Sequence, residues 1–144
     1  MSMKIVDYYD ENILRVLLEF KDSFYDSTIT IEHINNLFEK FRQHAIFRVL
    51  QDDDRNLGFY SLYANDLSTK KAFLSMIVVK NDVQGLGYGK QLLLDCFEQS
   101  KLKKMCSLRL EVNKHNKRGN DFYRKNGFTI VEENEKSFFL ERVL

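Results

Sequence analysis

The chain contains no proline among its 144 residues. That excludes one class of tight turn and leaves reversals to glycine and to Asn/Asp side chains. Cysteine is scarce. Cys96 and Cys106 stand alone, with no metal-ligand spacing and no basis for a disulfide framework. Cys96 falls on the inner side of an expected helix, so both read as reduced thiols of a cytoplasmic protein. No apolar run approaches the ~20 residues of a membrane span, and no secretory signal opens the sequence. Neither charge is in excess: 22 Lys and Arg stand against 21 Asp and Glu, a net charge of +1, which argues against a nucleic-acid or membrane partner. With 44% hydrophobic and 30% charged residues, the remaining composition is that of an ordinary globular chain. The length suits one domain, residues 1–144, able to bury about two-thirds of its unfolded surface.

Glycine too is sparse, with six residues in all, yet Gly85, Gly87 and Gly89 crowd into five positions. The apolar run Ala72 to Val79 ahead of them has strand length. Gln91 to Ser100 behind them reads as a helix with Leu92, Leu93, Cys96 and Phe97 inward. A glycine-rich turn that opens a helix brings backbone N–H groups and the positive end of the helix dipole to one place, which suits an anion. Two nucleotide motifs fail on spacing. A P-loop would need glycine where Gln84 stands and Ser or Thr where Gln91 stands, and the dinucleotide fingerprint would need glycine at Lys90. Gln84-x-x-Gly87-x-Gly89 remains.

That remaining pattern resembles the Q/R-x-x-G-x-G/A loop of the GCN5-related N-acetyltransferases. A second segment strengthens the likeness. Val112, Asn116, Gly119, Tyr123 and Gly127-Phe128 keep every spacing of the family's other signature. Gly119 departs from it, since the family usually carries Ala there; glycine in a helix costs about 1 kcal/mol and is not expected to affect chemistry. The resemblance covers roughly residues 45 to 130. Read without the family, Asn116 is a good N-cap and Gly127 a good left-handed stop for the helix Lys117 to Asn126, while Tyr123 could be an ordinary core residue.

The remaining elements follow from periodicity. Lys4–Tyr8 is a first strand. Asp10 can cap a helix from Glu11 to about Phe24, with Ile13, Leu14, Leu17, Leu18 and Phe20 inward. Thr30 can cap a second helix to Gln43, with Ile31, Ile34, Leu37, Phe38 and Phe41 at helical spacing. Strands 46–51 and 57–64 form a hairpin around Asp52–Asn56, whose aspartates match no calcium loop. Strands follow at 107–112, 128–132 and 137–143. The order β α α β β β α β α β β predicts an α/β (α+β) fold: a mostly antiparallel mixed sheet with one right-handed strand–helix–strand crossover.

The resemblance implies an acetyl-CoA-dependent N-acetyltransferase that needs no metal, with acetyl-CoA as co-substrate and a small-molecule or peptide amine as acceptor. A non-catalytic acyl-CoA-binding module on the same fold is the alternative, and a homodimer stays open. By the same likeness, the loop Gln84, Gly85, Leu86, Gly87, Tyr88, Gly89 and Lys90 holds the pyrophosphate. The strand backbone around Ile77 and Val79 holds the carbonyl and pantetheine, and Asn116 joins the cofactor site. Tyr123 protonates the leaving thiolate. No acidic residue lies in the 72–79 strand, where many relatives carry one. Glu111 occupies the position that serves as base, through water, in the ribosomal-protein branch of the family. His115, just beyond the same strand, reads as a surface histidine. In the family the acceptor is chosen by the loop between the first two helices, here Asp22–Thr28, and by the last hairpin, here Glu133–Lys136; both carry carboxylates.

Overall fold

The structure, a computed structural model, describes residues 3–144. Seven strands form one sheet in the order β1-β2-β3-β4-β5-β7-β6. They are β1 (Met3–Asp7), β2 (Ile46–Asp52), β3 (Arg55–Tyr63), β4 (Lys71–Val79), β5 (Ser107–Asn113), β6 (Thr129–Glu133) and β7 (Ser137–Val143). Four helices connect them: α1 (Glu11–Glu19), α2 (Ile31–His44), α3 (Tyr88–Leu102) and α4 (Lys117–Lys125). Among the described residues only β4 and β5 run parallel, joined through α3, as the crossover pattern requires.

The sheet separates two cores. On one face α1 and α2 bury Ile13, Val16, Leu17, Ile34 and Phe41 against Phe47, Val49, Phe59 and Val78. Phe47 stacks on Phe59 at 4.9 Å, and Phe20 meets the same ring edge-on at 5.2 Å. On the other face Leu92, Leu93, Cys96 and Phe97 of α3 cover Leu62, Leu74, Leu108 and Leu110, with Phe122 and Tyr123 of α4 packed alongside. A polar network also fastens α3. The Arg48 Nε donates to Asp95 Oδ2 at 2.7 Å, and the Tyr60 hydroxyl donates to the same oxygen at 2.6 Å.

The first helix differs from its expected form. It ends at Glu19 rather than Phe24, because Phe20 turns into the core and Lys21–Ser23 forms a short 3-10 turn. Asp10 does not cap it: its backbone sits at φ 49°, and its side chain accepts no hydrogen bond there. Leu18 and Ile31, expected inward, are exposed. Leu18 lies about 100° around the helix from Leu17 and misses the buried stripe, while Ile31 is the first residue of α2 and precedes its packed turns. The Thr30 cap does form, its side chain accepting from the His33 N–H at 3.1 Å. Helix α3 starts at Tyr88, three residues ahead of expectation, so part of the glycine loop is helix.

The feature that positions the site is a split in the sheet. Strands β4 and β5 pair from Lys71 and Ser107 to Leu74 and Leu110, and no further. Beyond that point β4 follows β3 to Val79, while β5 follows β7 to Asn113. The β3–β4 register steps from Leu62↔Leu74 to Ser61↔Met76, leaving Ser75 as an extra residue where the strands part. A bulge of this kind bends and twists its strand, here away from β5.

Candidate active site

The split opens into a cavity of about 680 Å³ that reaches both faces of the sheet. Phe122 and Tyr123 line it from the α3/α4 side, and Phe24, Tyr25 and Val78 from the α1/α2 side. The backbone of β4 forms one wall. Lys80 N–H donates to the Leu57 carbonyl at 3.0 Å, so alternation along the strand turns the Lys80, Val78 and Met76 groups toward β3. Those of Ile77 and Val79 then face the split, as donors and acceptors that β5 does not engage. Consistently, the Val79 carbonyl accepts from the Gln84 side chain at 3.0 Å.

The glycine loop closes one end. Gly85 and Gly87 have φ of 82° and 90°. At both, a Cβ would project into open space with nothing within 4 Å, so the concavity exists because these positions carry no side chain. Gly87 is the N-cap of α3, and no side chain caps the helix. The N–H groups of its first turn thus keep no intrahelical partner, and the helix dipole points its positive end at the cavity. That arrangement fits the diphosphate of a coenzyme A thioester.

At the opposite wall Asn116 caps α4, its Oδ1 accepting from Gly119 N–H at 2.9 Å. A Cβ on residue 119 would lie 2.6 Å from Asn116 Nδ2 and 2.9 Å from Cγ. Glycine at this position, the departure from the family pattern, is what lets the cap fold back. Gly127 ends α4 at φ 91°, as expected. The Tyr123 ring packs edge-on against Phe122 at 5.3 Å and Phe128 at 5.6 Å. Burial, and secondarily the neighbouring Cys96 thiol, push its phenol pKa above the ordinary tyrosine value. A tyrosine is protonated at neutral pH even at its ordinary pKa of about 10, and burial holds this proton more firmly.

Ile77, Val79, Gln84, Gly85 and Gly87 line this cavity, and so do Tyr88, Gly89, Lys90, Asn116 and Tyr123. Leu86 and Glu111 do not. Leu86 is 63% exposed at the tip of the loop. Glu111 is exposed on β5 between buried Leu110 and Val112, so its side chain leaves by the α1/α2 face. His115, expected at the surface, is exposed and also borders the cavity.

Sequence reasoning missed Arg118 and Asn120. Arg118 Nη1 donates to Gln84 Oε1 at 2.7 Å, joining the glycine loop to α4. Asn120 is buried and donates to the Asn113 and Asn116 carbonyls at 3.0 and 2.8 Å, which holds the end of β5 against α4. Arg118 did leave a trace in the sequence: with Lys117 it puts two cations in a first turn that has no acid, against the helix dipole. Among the described residues no group of three or more His, Cys, Asp or Glu could hold a metal ion, and no helix is long and apolar enough to cross a membrane.

A sheet split between parallel strands, with a glycine-opened helix at one end and a protonated tyrosine beside the gap, defines an acyl-CoA transferase site. Residues 11–128 match the Acetyltransferase (GNAT) family, and the chain belongs to that family. It is an acetyl-CoA-dependent N-acetyltransferase. A spermidine N(1)-acetyltransferase of Thermoplasma acidophilum is 26% identical, across 92% of this chain and 89% of that one. The same fold occurs in the PaiA N-acetyltransferase of Thermoplasma acidophilum in complex with coenzyme A, with a TM-score of 0.79, 24% identity and 100% of both chains covered. It also occurs in the ribosomal-protein-S18-alanine N-acetyltransferase of Escherichia coli, with a TM-score of 0.81, 15% identity, and 99% of this chain and 94% of that one covered.

Proposed function

We propose that the enzyme acetylates a cationic primary amine by direct attack on the thioester, donor and acceptor entering the split from opposite faces of the sheet. The observation that carries this reading is the cavity's passage between β4 and β5, with Tyr123 on one side and Tyr25 on the other. Acetyl-CoA lies along β4 from the α3/α4 side, its diphosphate on residues 84–90 and its thioester carbonyl at the Ile77 and Val79 backbone. Held so, the two reactants no longer need to meet by diffusion, and the backbone donors stabilise the oxyanion as it forms. Tyr123 gives its proton to the departing thiolate.

The amine enters from the α1/α2 side. Glu111 leaves β5 on that face and takes the ammonium proton through water. Asp22 and Asp26 stand in the loop that borders the same mouth, and carboxylates there favour a positively charged acceptor. The similarity to a spermidine acetyltransferase supports a polyamine as the first acceptor to try. A cytoplasmic location belongs to the same proposal, supported by the free thiols of Cys96 and Cys106. The test is an acceptor screen with purified protein, acetyl-CoA and a thiol-detecting reagent, comparing polyamines, amino acids and peptide N-termini. Turnover confined to acceptors with no second positive charge would overturn the cationic-acceptor reading.

A further inference from the structure

Asn81 stands between the two mouths of the cleft. It opens a short 3-10 turn, Asn81–Val83, between the end of β4 and the glycine loop. Its backbone N–H donates to Ser23 Oγ at 3.2 Å, and its Nδ2 donates to the Asp22 carbonyl at 2.8 Å. Its Oδ1 accepts from Gln84 Nε2 at 3.2 Å, and Gln84 Oε1 in turn accepts from Arg118 at 2.7 Å. The direction of this chain of bonds is forced. A guanidinium can only donate, so Gln84 presents its oxygen to Arg118 and its NH2 group to Asn81. Asn81 must then present its own oxygen to Gln84, which leaves its NH2 group for a carbonyl, and Asp22 supplies one.

The segment that Asn81 reaches has few other polar ties. Among the described residues, every other hydrogen bond made by residues 22–29 stays within 20–29. Phe24 and Tyr25 follow directly, and both line the cavity together with Ser23 and Asn81. Phe24 is buried with its ring 6.3 Å from Phe59, whereas Tyr25 is exposed. Apolar packing thus seats one ring, and the two bonds from Asn81 fix the backbone that leads into the pair. We propose that Asn81 is a positioning residue for acetyl transfer, fastening the wall of the acceptor mouth to the loop on which the donor's diphosphate rests. A diphosphate that orders residues 84–90 holds Gln84 and, through Asn81, orders residues 22–25; the link acts equally in reverse. This role rests on the proposed placement of donor and acceptor and adds the residue that joins their two mouths.

The test uses coenzyme A as probe and hydrogen–deuterium exchange by mass spectrometry as readout, with saturation set for each protein by titration calorimetry. In the parent, coenzyme A should slow exchange at residues 84–93 and also, by about fivefold or more, at residues 22–29. Two variants cut the link. Asn81→Ala removes the side chain. Asn81→Asp keeps its shape and the oxygen that Gln84 needs, but as a carboxylate it cannot donate to Asp22; this variant carries the test where the truncation impairs folding. In both, coenzyme A should still slow exchange at the glycine loop, while the slowing at residues 22–29 falls toward unity. A side chain that merely supports the loop would speed exchange there with and without ligand and leave the ratio unchanged, and that result would overturn the proposal. Variants in which coenzyme A protects neither segment would make Asn81 part of the donor site alone and overturn it as well. So would a parent in which coenzyme A protects only the glycine loop, with the acetyl-CoA reading left standing. No protection anywhere in the parent would overturn the acetyl-CoA reading itself.

Discussion

Gln84 and Arg118 meet across the mouth of the cleft, guanidinium to amide oxygen at 2.7 Å, 34 positions apart in the chain. The same Gln84 side chain donates to Val79 O at 3.0 Å and Asn81 Oδ1 at 3.2 Å. One amide thus ties the glycine loop to the end of β4 on one side and to α4 on the other. Removing the guanidinium frees the loop proposed to cradle the diphosphate, so binding has to supply the lost order. Arg118→Ala should weaken acetyl-CoA binding by about tenfold, the worth of one charge-assisted hydrogen bond. In steady-state kinetics the change should appear in KM for acetyl-CoA. A fall in kcat with KM unmoved would mean that Arg118 serves the chemical step instead.

Tyr123→Phe removes one oxygen and keeps the ring against Phe122 and Phe128. A positioned proton donor contributes about 10² to 10⁴ in rate. Turnover should fall at least a hundredfold, with acetyl-CoA affinity within a few-fold of the parent. The deficit should narrow for donors with a more acidic leaving thiol, which need less protonation. A deficit equal for every donor would make Tyr123 a packing residue.

Glu111 stands outside the cavity on the α1/α2 face, so any role it has as base runs through water. Glu111→Gln should lower kcat by roughly a hundredfold and leave calorimetric acetyl-CoA binding unaltered. His115 borders the cavity and is the control. If His115→Gln depresses turnover and Glu111→Gln does not, the proton acceptor is the histidine.

Asp95 accepts from both Arg48 and Tyr60 beneath α3, and the Arg48 and Asp95 side chains are only 14% and 18% exposed. Asp95→Ala would leave a largely buried guanidinium with Asp7 as its remaining carboxylate partner, at 3.1 Å. Breaking one side of such a pair costs about 3 kcal/mol. Tyr60→Phe, which leaves the ion pair standing, should cost about 1.5 kcal/mol. Urea unfolding of both variants measures the difference, and equal losses would show that the ion pair adds nothing.

Gly119→Ala tests a local conflict. Helix propensity alone predicts a gain of about 1 kcal/mol from alanine. The new methyl would instead displace the Asn116 side chain from its cap, which costs about 1 kcal/mol and also disturbs the cavity wall. A net loss in thermal unfolding is expected, together with weaker acetyl-CoA binding. A clear gain in stability would show that the cap can re-form around a methyl group.

What could be read directly from the chain was whatever short-range geometry encodes. The glycines at 85 and 87 mark positive φ, Asn116 and Thr30 mark helix starts, and Gly127 marks an end; each acts within about one turn of its own position. Apolar periodicity likewise ordered the strands and helices and identified the single crossover, because burial of one face repeats at a fixed interval. Asp10 escaped this reasoning, since its backbone conformation answers to the entry of α1 rather than to its side chain. The early end of α1 depended on Phe20 finding Phe59, a contact made across the sheet. The opening between β4 and β5 turned on the extra residue at Ser75, which only the register with β3 exposes. Arg118 found Gln84, and Asp95 found Arg48, over separations of 34 and 47 residues. No local pattern specifies partners at such distances. They are chosen when two packed faces bring particular side chains within reach, so tertiary structure alone decided how the loop is held, which face Glu111 occupies, and where Asn81 meets the segment after α1.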